Sequence, residues 1–333
     1  MIRLVRPEEP EIYGARKKRA RSPAMTDIHR RFRLHFWRAQ HGKCAYCECS
    51  LIGQPGDVDH YAPRNAVTHL LVVRRSDPGH PQTPASASPG VPAWSEPIGG
   101  YLWLALEWTN WILACEICNR AWKGALFPIS APGGTAIHVS GVVGVPHPGP
   151  PSGETYERRL LLNPFDTDRS PENHLYFDDQ GIVQPRAKSE CGLATIQTCG
   201  LDRTPLVDAR RITGSGVRYA LSRYAKELED CNFLSAYDQL RLACWAASPT
   251  QPHAAVARSV IQDLLEVEWE EALYLLWLLR ALTWHDQAEH QRNERSAEWA
   301  LGLAQRVRRL EGLSPIWHGY AGVVWAAWRA HWE

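Results

Sequence analysis

The feature that most constrains this chain is a pair of Cys-x-x-Cys motifs, Cys44/Cys47 and Cys115/Cys118, separated by 67 residues. Two thiols at that spacing form one knuckle of a metal site, and a structural zinc ion takes four ligands in a tetrahedron with Zn–S bonds of about 2.3 Å. Two knuckles supply the whole set. The spacing therefore predicts a zinc clamp that draws two distant segments together. No apolar leader follows Arg3 and Arg6, so a cleaved signal is not expected and the chain reads as cytoplasmic; there, paired CxxC motifs are metal ligands before they are disulfides. The other cysteines, Cys49, Cys191, Cys199, Cys231 and Cys244, lack this spacing. They read as core or incidental thiols.

Inside the clamp lies Asp59-His60, followed by Tyr61-Ala62-Pro63-Arg64. Adjacent residues of extended backbone point in opposite directions, so both can reach one ligand only at a strand end or bend, which Pro63 favours. A histidine near pKa 6.5 accepts a proton from water near neutral pH, and a carboxylate holds a hard divalent cation. Asn110 and Asn119 add two oxygen donors.

In order, CAYC, VDHYAPR and TNWILACEICNRAWKG resemble the HNH, or ββα-metal, nuclease superfamily, over about residues 43 to 127. The resemblance implies a ββα-metal core in which Asp59 binds the catalytic metal and His60 is the general base. It further implies that Asn110 fixes the loop between two strands and that Asn119, early on the following helix, completes the metal site. The catalytic ion would be Mg²⁺ or Mn²⁺, and the zinc on Cys44, Cys47, Cys115 and Cys118 would stay structural. Lys123, one helical turn after Asn119, would share its face and meet a phosphate. Two departures stand out: residues 77–100, rich in Pro, Ser and Gly, lengthen the interval from His60 to Asn110, and Asn65-Ala66 stands where the family often has two glycines. The flanks GYLWLALEWTNWILACEICNRAWKGALFP, LLNPFDTDRSPENHLYFDDQG and ATIQTCGLDR are similar to the HNH subunits of Septu-type and retron-linked antiphage systems. That similarity implies an ATPase partner.

The expected fold class is α+β. Residues 1–43 form a basic segment and a helix over about 26–40, and residues 44–130 form the nuclease core with the 77–100 insertion. Strand-forming runs in 131–200 predict a small β layer, and 201–333 predict a helical partner-binding domain of about five helices, with Thr204-Pro205 and Ser314-Pro315 as helix starts. The longest lipid-like run, Ala272 to Leu279, is eight residues long and ends at Arg280. A spanning helix needs roughly twenty.

Formal net charge is only +1, but residues 1–43 hold twelve Lys or Arg against four Asp or Glu, whereas residues 261–300 hold three against nine. The basic end should favour phosphate. Its sharpest run, Arg16-Lys17-Lys18-Arg19, is a candidate nucleic-acid contact with Arg64 and Lys123, and the expected partner is DNA. Tryptophans near Trp325, Trp328 and Trp332 suit a protein interface, with an ATPase or a second copy of the chain. Trp103, Trp108 and Trp111 should pack around the helix of the site. His69, His80, His138, His147 and His174 read as surface or capping residues. Two other readings fit the motifs: a zinc module that grips nucleic acid without cutting it, which needs the cysteines but not His60, and an assembly protein built on a relic fold.

Overall fold

Strands of two to four residues and helices of up to 26 make up this chain. The computed structural model describes residues 1–14, 28–67, 98–130 and 158–332. They divide into two units, residues 1–176 with 182–207, and residues 177–181 with 208–333. Arg16, Lys17, Lys18, Arg19, most of the 77–100 tract, and His69, His80, His138 and His147 lie outside the described residues.

In the first unit β1 (Asp57–His60) pairs antiparallel with β4 (Trp111–Ala114), so that His60 faces Trp111 and Asp57 faces Ala114 across the ladder. The other sheets are also two-stranded: β2 (Ala66–Val67) with β3 (Ile98–Gly99), β5 (Ile129–Ser130) with β6 (Arg158–Arg159), and β7 (Leu175–Phe177) with β8 (Val183–Pro185). The architecture is α+β, and the sheets among the described residues are all small strand pairs.

The expected helix over 26–40 is a 3₁₀ turn, Ile28–Phe32, running into α1, Arg33–Ala39. Phe32 and Phe36, four apart and so on one face, are buried with Tyr13, Trp108 and Trp111. The Phe36 and Trp108 rings lie 4.7 Å apart and those of Tyr13 and Trp111 5.0 Å. Trp108 and Trp111 therefore anchor α1 against the strand pair instead of wrapping the helix of the site. Ser189 caps α2 (Glu190–Cys199), its Oγ accepting from the Gly192 amide at 3.1 Å. Gly200 ends the helix at φ +54°, a conformation that costs a side-chain-bearing residue about 1–2 kcal/mol.

Six further helices follow: α3 (Thr204–Glu229), α4 (Phe233–Ala246), α5 (Ala254–Leu265), α6 (Trp269–His290), α7 (Glu294–Arg308) and α8 (Pro315–Trp332). The second unit begins within α3. Ser314 caps α8, accepting from the Trp317 amide at 3.1 Å with Pro315 next to it. Trp317 and Trp328 are buried, Trp328 donating to Asp286 at 2.9 Å, and Arg308 stacks 4.6 Å over Trp325. Trp317 and Trp328 serve the unit's own packing, Trp325 is half-buried, and the Trp332 side chain lies outside the described residues. Among the described residues, the tryptophans left more than half exposed are Trp245, Trp277 and Trp299. No helix among the described residues is long and apolar enough to cross a membrane.

Candidate metal centre and active site

The first knuckle is seated on β4 by one side chain. Gln40 accepts from the Leu113 amide at 2.9 Å and donates to the Leu113 and Lys43 carbonyls at 2.8 and 3.0 Å, while the Ala45 amide donates to the Leu113 carbonyl at 3.0 Å. The second knuckle opens the π-helical turn Ile117–Lys123, directly after β4. Such turns are uncommon and cluster at functional sites. The result brings the sulfurs of Cys44, Cys47, Cys115 and Cys118, all buried, within 4.8 Å of one another. A tetrahedron of 2.3 Å Zn–S bonds has edges of about 3.8 Å, and the Cys47 and Cys115 sulfurs stand 3.8 Å apart. Four soft thiolates at that spacing fit zinc in both donor chemistry and size.

A residue unforeseen in the sequence completes this centre. Arg203, buried just beyond α2, sets Nη2 3.5 Å from the Cys118 sulfur and donates through Nη1 to the Cys199 and Gly200 carbonyls at 3.1 and 2.7 Å. Burial works against its charge, yet the sulfurs of Cys118, Cys47 and Cys115 together hold it above its ordinary value. A Cβ on Gly200 would fall 1.9 Å from the Trp122 ring, so α2 meets the π-helical turn through a contact that only glycine permits.

Asn110 is buried and brackets the loop after β1: its Oδ1 accepts from the Ala62 amide at 2.8 Å, and its Nδ2 donates to the Ala62 carbonyl at 3.0 Å and the Leu104 carbonyl at 3.2 Å. His60 lies at the end of β1, its ring edge-on to Trp111. Its Nε2 is 3.0 Å from the Ala105 carbonyl oxygen. A carbonyl only accepts, so Nε2 carries the proton and the basic lone pair is on Nδ1. Burial pulls the imidazole below its ordinary value, against the opposing pull of that carbonyl and of Asp59. That shift favours the neutral form of the ring. Arg64, half-buried in the following loop, is one of the positive charges acting on it.

Asp59 points to the other face of β1 and is buried. Lys123, itself fully buried, reaches both its oxygens at 3.0 and 3.1 Å and donates to the His60 carbonyl at 3.0 Å, while Tyr46 donates to Oδ2 at 3.0 Å. Burial and the adjoining Asp59 carboxylate push the Tyr46 phenol up, which keeps it a donor. Lys123 thus differs from the expected phosphate contact: its ammonium is enclosed and neutralises Asp59 from within. The Nδ2 of Asn119 donates at 3.2 Å to Asp57, two residues before Asp59 on the same strand face. Arg120 grips the same Asp57 through Nε and Nη2 at 2.8 and 3.0 Å. The donor chemistry for a hard divalent ion, carboxylate and amide oxygens, is present on the face toward the π-helical turn. Asp57 was missed, although strand alternation alone puts it on the same face as Asp59. Tyr46 was visible only as a filler residue of the first knuckle. His174, read as a surface or capping residue, lies 2.7 Å from the Oγ of the cap Ser189.

Among known proteins, the chain is similar to the Septu protein PtuB of Bacillus mycoides (strain KBAB4), with 28% identity over 246 residues, which cover 67% of this chain and 71% of that protein. No protein-family profile matches the chain, and no solved structure does.

Proposed function

We propose that this chain is a metal-dependent HNH endonuclease that hydrolyses phosphodiester bonds in DNA, and that it is the nuclease of a bacterial antiphage defence system acting beside an ATPase. The observation that carries the reading is the treatment of His60. The thiol clamp holds the strand pair, Asn110 fixes the loop beyond it, and the Ala105 carbonyl orients a neutral imidazole. A histidine needed only for packing has no use for all three. The similarity to a Septu protein supports the defence setting.

His60 takes a proton from the attacking water at Nδ1 as the new P–O bond forms and the bond to the 3′ oxygen breaks, leaving a 5′-phosphate end. Asp59 and Asn119 are the proposed holders of a Mg²⁺ or Mn²⁺ ion, with Asp57 beside them. When bound, that ion supplies Lewis-acid stabilisation of charge on the phosphate and the leaving oxygen. The enclosed Lys123 pairs with both Asp59 oxygens and aims the carboxylate at the turn. The helices of residues 208–333 are the proposed contact for the ATPase or for a second copy. Zinc binds the four cysteines and takes no part in the chemistry.

The competing reading, a zinc module that grips nucleic acid without cutting it, draws on the Asp59–Lys123 pair. His60→Ala separates the two. General-base help is worth roughly 10²- to 10⁴-fold in rate, so cleavage should fall by that much while zinc content and circular dichroism stay unchanged. Wild-type cleavage by the variant would refute the base role.

A further inference from the structure

Tyr46 belongs to the thiol clamp and to the carboxylate at once. It stands between Cys44 and Cys47 in the first knuckle, and its hydroxyl donates to Asp59 Oδ2 at 3.0 Å. The backbone around it is tied down: the Cys44 amide donates to the Cys49 carbonyl, the Glu48 amide to the Cys44 carbonyl and the Ala45 amide to the Leu113 carbonyl, each at 3.0 Å. The ring is fully buried. With the backbone fixed and the ring enclosed, the two side-chain torsions of a tyrosine leave its hydroxyl little freedom.

That hydroxyl distinguishes the two oxygens of Asp59. A carboxylate oxygen has two lone pairs. Oδ2 is met by the Tyr46 hydroxyl and the Lys123 ammonium, both at 3.0 Å, whereas Oδ1 accepts from Lys123 at 3.1 Å. Among the described residues, Oδ2 is therefore filled and Oδ1 keeps one acceptor position. We infer that Tyr46 is a positioning residue for the divalent ion: it caps Oδ2, leaves Oδ1 to the ion, and so ties the affinity for that ion to the knuckle that the zinc clamp fixes. This rests on the nuclease reading above, in which Asp59 is a ligand. Partners one step outside the ligands typically alter metal affinity 10- to 100-fold. Tyr46 acts through Asp59 and touches no substrate.

The test uses the full-length, zinc-loaded chain and Tyr46→Phe, which removes the hydroxyl and keeps the ring. Mn²⁺ binding is followed without DNA, by the paramagnetic resonance signal of the free ion, with Asp59→Asn as the reference for Mn²⁺ held elsewhere. Tyr46→Phe should bind Mn²⁺ roughly 10- to 100-fold more weakly than wild type. Its zinc content and circular dichroism should stay unchanged, and its KM for DNA at saturating Mn²⁺ should match wild type. Equal Mn²⁺ affinity in the two proteins would overturn the positioning role and leave the nuclease reading intact. Loss of zinc or of fold in Tyr46→Phe would make the hydroxyl part of the clamp's own packing, and would overturn the role as well. Wild-type Mn²⁺ affinity in Asp59→Asn would place the ion elsewhere, sinking this inference together with the metal part of the nuclease reading.

Discussion

The Nη2 of Arg203 stands 3.5 Å from the Sγ of Cys118, although 84 residues separate them in the sequence. A tetrathiolate zinc centre carries two net negative charges, and a buried guanidinium against one sulfur offsets part of that excess. Partners of this kind, one step outside the ligands, typically change metal affinity 10- to 100-fold. Arg203→Met should therefore lose zinc to a competing chelator at a concentration roughly 10- to 100-fold lower than wild type requires, whereas Arg203→Lys, which keeps the charge, should fall between. Equal retention by all three proteins would make Arg203 a packing residue only.

The thiols themselves give a sharper expectation. Purified, reduced protein should hold about one tightly bound zinc per chain, and Cys44→Ser or Cys115→Ser should lose metal and cooperative unfolding together, since the ion would join two segments distant in the sequence. Elemental analysis alongside thermal unfolding reads both. A folded, zinc-free wild type would contradict it.

Lys123 separates two roles cleanly. As the enclosed partner of Asp59, its replacement by Met leaves a buried carboxylate without compensation, which costs about 3–5 kcal/mol. A phosphate contact would instead lower DNA affinity and leave stability alone. Denaturant unfolding of Lys123→Met should show the first pattern, and Lys123→Met with Asp59→Asn should recover much of the loss.

Gly200→Ala should destabilise the first unit by roughly 2–4 kcal/mol, from overpacking against Trp122 added to the strain of a left-handed conformation. A second change that shrinks the ring, Trp122→Leu, should relieve only the overpacking part. Additive losses in the double variant would mean that the Gly200–Trp122 contact is not the source.

The thiol cluster was legible because CxxC spacing is a local signal with a fixed chemical meaning. Arg203 and the Gly200–Trp122 contact were not, because both depend on where α2 lands, and nothing in TCGLDR announces a metal nearby. The burial of Lys123 was hidden for a related reason. Helical spacing placed it near Asn119 but did not say that the π-helical turn folds its ammonium under the strand. In the helical region, apolar density predicted helices well, yet which tryptophans are exposed depends on rotation about each axis, which composition does not encode.

The placement of Arg203 also bears on synthesis. The ligands and their guanidinium partner are drawn from positions 44, 47, 115, 118 and 203, so the centre is among the least local contacts in the unit. Contacts of that kind form late. At roughly 5–20 residues per second, the ribosome needs about 8–30 s to travel from Cys47 to Arg203. During that interval the nascent chain carries Cys44 and Cys47 without the guanidinium that packs on Cys118, so the centre can be finished only after the rest of the first unit has been made.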